Sequence, residues 1–98
     1  MARPVKCRKI CCEADSICFV PLGIQPGKAA EVVMTLDEME AVRLVDLEGK
    51  YHEAAAKSMG VSRQTLGNIV EAARRKMTDA IIKRKVLVIR GGEVEKKR

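Results

Sequence analysis

The sequence predicts a mainly α fold: a three-helix cluster containing a helix-turn-helix, with a small β element from the N- and C-terminal segments. Three observations carry that expectation. Apolar residues recur at helical spacing in two long stretches, 35–48 and 63–84. Between them Gly60 and Ser62 supply a stop and a start for adjacent helices. Two short runs near the ends, Ile17–Val20 and Val86–Arg90, carry the composition of strands, the second bounded by Gly91 and Gly92.

In chain order, residues 1–34 form a basic, cysteine-containing segment with a possible short strand, 35–85 the helix-turn-helix domain, and 86–98 a C-terminal strand and charged tail. Ile17 to Val20 is the strand candidate of the first part, and Pro21, Gly23, Pro26 and Gly27 interrupt regular structure after it. Ala29 to Met34 is extended or a short turn. Thr35 with Glu38 is a capping box, in which each residue's side chain bonds the other's backbone N–H, so a helix is expected over Thr35 to Glu48. Leu36, Met39, Val42, Val45 and Leu47 are its apolar face, and Gly49 ends it. A lone strand at Val86–Arg90 leaves its backbone groups unpaired. Its partner is expected in Ile17–Val20, of the same chain or of a second subunit.

The chain is organised around YHEAAAKSMGVSRQTLGNIVEAARRKMTDAIIKR, Tyr51 to Arg84. Ala55, Ala56 and Met59 give a short helix a small apolar face, and Gly60 stops it because glycine enters the left-handed region without steric cost. Val61 plugs the turn. Ser62 is an N-cap for a long helix striped by Leu66, Ile69, Val70, Ala73, Met77, Ala80 and Ile81. Arg63, Gln64, Thr65, Gly67 and Asn68 are left at its exposed head, where Gly67 leaves room for a close approach to the backbone.

A helix-turn-helix places such a head in the DNA major groove. Arg63, Gln64 and Asn68 are the candidates for base edges, since arginine matches two acceptors of guanine, and glutamine or asparagine the donor–acceptor pair of adenine. Ser62, Thr65, Arg74 and Arg75, with a basic arm of Arg3, Lys6, Arg8 and Lys9, are candidates for phosphate contact, which positions without specifying sequence. The charge distribution agrees. Net charge is +6, divided as +3 over residues 1–30, −4 over 31–60 and +7 over 61–98. The basic ends suit a polyanion, and the acidic middle faces away from it or toward another protein. Two readings of other classes stay open: a module docking on transcription machinery through the region 37–53, and a metal or redox sensor.

That sensor would use Cys7, Cys11, Cys12 and Cys18, spaced C-x3-CC-x5-C, which allow zinc or an iron–sulfur centre. No signal peptide or membrane-length apolar run is visible, so the cytoplasm is the expected compartment, with reduced cysteines. Catalysis has no support. His52 is the only histidine and has no companion group in sequence. With only Phe19 and Tyr51 as aromatics the core must be aliphatic and thin, and helix-turn-helix proteins commonly bind paired half-sites. A homodimer is therefore expected, with Val86–Arg90 as its route.

The chain also resembles a known family, the small prokaryotic helix-turn-helix proteins catalogued as domain of unknown function 134. The resemblance runs over MARPVKCRKIC, FVPLG, LDEMEAVRLVDLEGKYHEAA, MGVSRQTLGNIVEAARRKMTDAI and VLVIRGG, in that order and over nearly the whole chain. Cys7 and Cys11 match the family pattern, whereas Cys12 and Cys18 are not reliable family positions, and Leu66 stands where many relatives carry phenylalanine. Leu36 to Ile81 is similar, in addition, to the promoter-reading region four of sigma factors. The resemblance implies duplex DNA binding and names no target.

Overall fold

The computed structural model of the chain describes residues 16–91. Arg3, Lys6, Cys7, Arg8, Lys9, Cys11, Cys12 and the charged tail lie outside the described residues. In order, the elements are β1 (Ile17–Phe19), a single 3-10 turn at Pro26–Lys28, β2 (Glu31–Met34), α1 (Leu36–Val42) continued by a π-helical turn at Arg43–Leu47, α2 (His52–Met59), α3 (Arg63–Lys83) and β3 (Val86–Ile89). Three helices and a small three-stranded sheet thus make a predominantly helical fold.

β3 is the central strand. It pairs antiparallel with β1, Phe19 opposite Leu87 and Ile17 opposite Ile89. It pairs parallel with β2, Met34 beside Ile89. The expected partner of β3 is therefore found within the same chain, and a second one, β2, joins it. Parallel strands need a long crossover, and here the three helices supply it. Both edges of β3 are used, so the expected dimer route through this strand is closed; among the described residues the outer strands are β1 and β2.

The capping box of α1 is formed. Thr35 Oγ1 accepts from Glu38 N–H at 3.2 Å, and Glu38 Oε1 accepts from Thr35 N–H at 2.9 Å. A further orphan donor of the helix start, Leu36 N–H, bonds Gly91 O at 3.0 Å, which ties the end of the sheet to the head of α1.

The helix expected over 35–48 does not stay α-helical. From Arg43 it widens, with Glu48 N–H bonding Arg43 O at 2.9 Å, one residue further back than in an α-helix. That turn rotates the last residues out of the stripe read at ordinary helical spacing. Leu47, expected on the apolar face, is 79% exposed. The buried residues of this region are instead Ala41 and Leu44.

Packing divides α1 between two clusters. Ala41 and Leu44 join Ala55, Ala56, Leu66 and Val70, with Val45, Met59, Val61 and Ile69 around them. Leu36, Met39 and Val42 lie with Met77 and Leu87 around Met34, Ala73 and Ile89, where α3 meets the sheet. On the alternate positions of β3, Val86 and Val88 are fully buried, packed against Cys18 and Ala29. The stripe of α3 is buried at Leu66, Val70, Ala73 and Ala80, but not at Ile81, which is 74% exposed. By that point α3 has run past the helices that cover its earlier turns.

Candidate nucleic-acid interface

The turn between α2 and α3 has the local geometry its residues imply. Gly60 ends α2 at φ 71°, ψ 32°. Its N–H bonds Lys57 O at 3.2 Å, and Val61 N–H bonds Ala56 O at 3.0 Å, which satisfies carbonyls left open at the helix end. Val61 is half-buried against the first cluster. Ser62, extended at φ −73°, ψ 160°, caps α3: its Oγ accepts from Thr65 N–H at 3.0 Å. The Ser62 hydroxyl also donates to Thr65 Oγ1 at 2.9 Å. A serine has one hydroxyl proton, so phosphate contact by Ser62 competes with this bond, whereas the Thr65 hydroxyl proton is not used in it.

Arg63, Gln64 and Asn68 are all exposed on the first two turns of α3. None makes a side-chain hydrogen bond or ion pair among the described residues. Gln64 and Asn68 are four apart and share a face, with Arg63 beside them. Gly67 is half-buried, and a Cβ built there would meet His52 Cδ2 of α2 at 3.8 Å, an ordinary van der Waals contact.

The two arginines expected at phosphates are placed differently. Arg74 reaches back to the π turn and grips Asp46 with both edges of its guanidinium, Nε to Oδ2 at 3.0 Å and Nη2 to Oδ1 at 2.6 Å. The hydrogen bonds from Arg74 hold the Asp46 carboxyl below its ordinary range, and Arg74 is raised in turn. A phosphate would compete with that carboxylate for the same donors. Arg75 is more open, with Glu71 at 3.5 Å one turn before it. Sequence reasoning missed the Asp46–Arg74 pair because the π turn that brings Asp46 into place has no signature in residue spacing.

The acidic region is largely consumed by pairs within the chain. Glu38 takes Lys76 at 2.9 Å, and Glu40 takes Arg43 at 2.7 Å. Arg43 also bridges to Glu48. Of the cysteines only Cys18 is described, and it is disulfide-bonded. That differs from the reduced state expected, and in this form its sulfur is no thiolate for zinc or an iron–sulfur centre. Among the described residues no group of three or more His, Cys, Asp or Glu side chains is arranged to hold a metal ion. No helix among them is long and apolar enough to cross a membrane.

A small helical domain with a capped, polar helix head is what this surface defines, and comparison with known proteins supplies the family. The model of the family described as "Protein of unknown function DUF134" matches residues 1–97, and the chain belongs to that family. It is 46% identical over 92 residues to the UPF0251 protein CT0950 of Chlorobaculum tepidum, covering 94% of this chain and 60% of that one. A UPF0251 protein of Prosthecochloris aestuarii is 50% identical over 95 residues, covering 97% and 61%. One from Desulfitobacterium hafniense is 46% identical over 93 residues, covering 95% and 74%. The chain thus spans about three-fifths of the length of the first two. No solved structure matches it.

Proposed function

We propose that this protein is a sequence-specific duplex DNA-binding protein, and a transcriptional regulator of the bacterial cytoplasm. In this reading α2, the Gly60–Ser62 turn and α3 act as a helix-turn-helix akin to region four of sigma factors. One observation carries it: Arg63, Gln64 and Asn68 stand exposed and unpartnered at the head of a 21-residue helix whose other face is buried. An unpaired arginine and two amides converging on one surface suit base edges, which present paired donors and acceptors. Thr65 and Arg75 would add phosphate contacts, and Arg74 would do so only by releasing Asp46.

Docking on transcription machinery through region 37–53 is the weaker reading, because Glu38, Glu40, Asp46 and Glu48 already have cationic partners in the chain. A dimer on paired half-sites remains part of the proposal, through a surface other than β3. For the sensor reading, metal content measured after purification without chelator is the direct test.

The decisive experiment is selection of bound sequences from random duplex DNA near physiological salt, with Arg63→Ala and Asn68→Ala beside the unaltered chain. A motif that loses definition at particular positions in each variant supports direct readout, at about 1–3 kcal/mol per lost contact. Weak binding equal in all three, with no motif, refutes it.

A further inference from the structure

Away from the head of α3, the fold leaves a concave apolar groove of about 530 Å³ between β1, the end of β2, α1, β3 and the last turns of α3. Met34 and Ile89 form its floor, Met39 and Met77 its walls, and Phe19 and Ile81 its open lip. The volume lies in the range of roughly 300–1,000 Å³ typical of small-molecule sites. Thioether side chains make such a wall adaptable, since they reshape around an apolar guest.

The rim is not neutral. Arg84 and Lys85 are the two cations lining the groove. Lys85 is neutralised by Asp79 at 3.0 Å, but Arg84 makes no side-chain hydrogen bond or ion pair among the described residues. Arg84 is also the one non-glycine residue with positive φ among the described residues, at φ 57°. It occupies the cap position after α3, where glycine is the usual residue. A bulky residue held in the left-handed region is strained, and such strain collects at ligand clamps. A cation suits the negative end of the α3 dipole, but the guanidinium itself has no partner among the described residues and is left available at the rim.

We infer that the groove binds a small amphipathic carboxylate, its apolar chain against Met34, Met39 and Met77 and its anionic head on the Arg84 guanidinium. Apolar depth with a single unpaired cation at the rim is complementary to a monoanion with a hydrocarbon tail. The site is separate from the proposed DNA surface and does not depend on that reading.

The probe is dodecanoate at submicellar concentration, titrated calorimetrically into the full 98-residue chain, with dodecanol and dodecyltrimethylammonium as neutral and cationic controls. Saturable binding of dodecanoate is expected, at least about tenfold tighter than either control. Methyl NMR should show shifts at Met34, Met39 and Met77 and none at Met59, which packs in the other cluster. Arg84→Gly relieves the backbone strain and keeps the fold, so it isolates the charge: dodecanoate should weaken about tenfold while dodecanol changes less than twofold. Ile81→Glu, a change at an exposed lip residue, should abolish binding of dodecanoate. No saturable binding, equal affinity for all three probes, or full affinity in Arg84→Gly would overturn the proposal. So would a dimer, seen by sedimentation, that dodecanoate fails to bind and Ile81→Glu dissociates, since the groove would then be covered by a second copy.

Discussion

Replacing Gly67 by alanine should stabilise the protein, and it separates packing from recognition on α3. Gly67 lies inside a 21-residue helix, where glycine is less favourable than alanine by about 0.8–1 kcal/mol. Part of that difference acts through the unfolded chain, which loses freedom when glycine is removed. The folded state offers no opposing clash, because the new methyl carbon would meet its nearest neighbour, His52 Cδ2, at 3.8 Å, an ordinary van der Waals contact. The net gain should be about 0.5–1 kcal/mol, a rise in Tm of roughly 2–8 °C for a domain of this size. Thermal unfolding followed by far-UV circular dichroism measures it. Since the methyl faces α2, DNA affinity should change less than about twofold. Arg63→Ala and Asn68→Ala should do the reverse, leaving Tm within about 1–2 °C because the side chains are exposed and unpartnered, while degrading sequence-specific binding. A lower Tm for Gly67→Ala would refute the space described between Gly67 and His52. A preserved Tm with lost DNA affinity would mean that the glycine faces the nucleic acid.

Other perturbations test the frame. Thr35→Ala removes the acceptor for Glu38 N–H and should cost about 1 kcal/mol, read from the urea midpoint, with an unchanged slope. Leu66→Ala empties a fully buried position where α1, α2 and α3 meet and should cost about 2–5 kcal/mol, enough to leave a thin-cored domain largely unfolded by circular dichroism at room temperature. Acid should expose the ion pairs. Hydrogen bonds from Arg43, Arg74 and Lys85 depress Glu40, Asp46 and Asp79 below their ordinary values. Carboxyls depressed in the folded state add stability that is fully present above their unfolded values and is lost as pH falls through the folded ones. Tm should therefore be level down to about pH 5 and decline below about pH 4. The decline should be shallow, because exposed pairs contribute little; a Tm that rises on acidification would contradict these pairings.

What was legible in the sequence was whatever local chemistry decides. The capping box at Thr35 and Glu38, the left-handed Gly60, the Ser62 cap and the strand at 86–89 depend on neighbours within a few residues, and each appears where those neighbours put it. The errors share a different cause. Leu47 and Ile81 were assigned to apolar faces by counting at a constant helical period. Counting fails where the period changes, at the π turn after Val42, and where the covering partner ends, beyond Ala80. The pairing of β2 with β3 joins Glu31 to Val86 across the whole helical cluster, a separation no local pattern encodes. The same holds for Arg74. On sequence it is one of several cations on an outer helix face, and only the π turn that carries Asp46 toward it distinguishes it from Arg75.

That distinction bears on how α3 would engage DNA. A cation tied to a carboxylate in the free protein must exchange one anion for another on binding, so the net gain from phosphate contact is reduced by the cost of breaking the pair. An untied cation releases counterions without that cost. Arg75, with Glu71 only at 3.5 Å, should therefore dominate the salt dependence contributed by phosphate contacts of α3. Arg74 should contribute chiefly by fixing α3 against the π turn of the first helix. The surface that holds the head of α3 in place and the surface that would touch a polyanion are thus adjacent on one helix but chemically distinct, one tightly paired and one more open. A salt titration of Arg63→Ala, Arg74→Ala and Arg75→Ala distinguishes them. The slope should fall by about one unit for Arg75→Ala and stay near that of the unaltered chain for Arg74→Ala and for the base-edge variant Arg63→Ala. A full unit lost in Arg74→Ala would mean that DNA displaces Asp46 and that the pair is a latch released on binding.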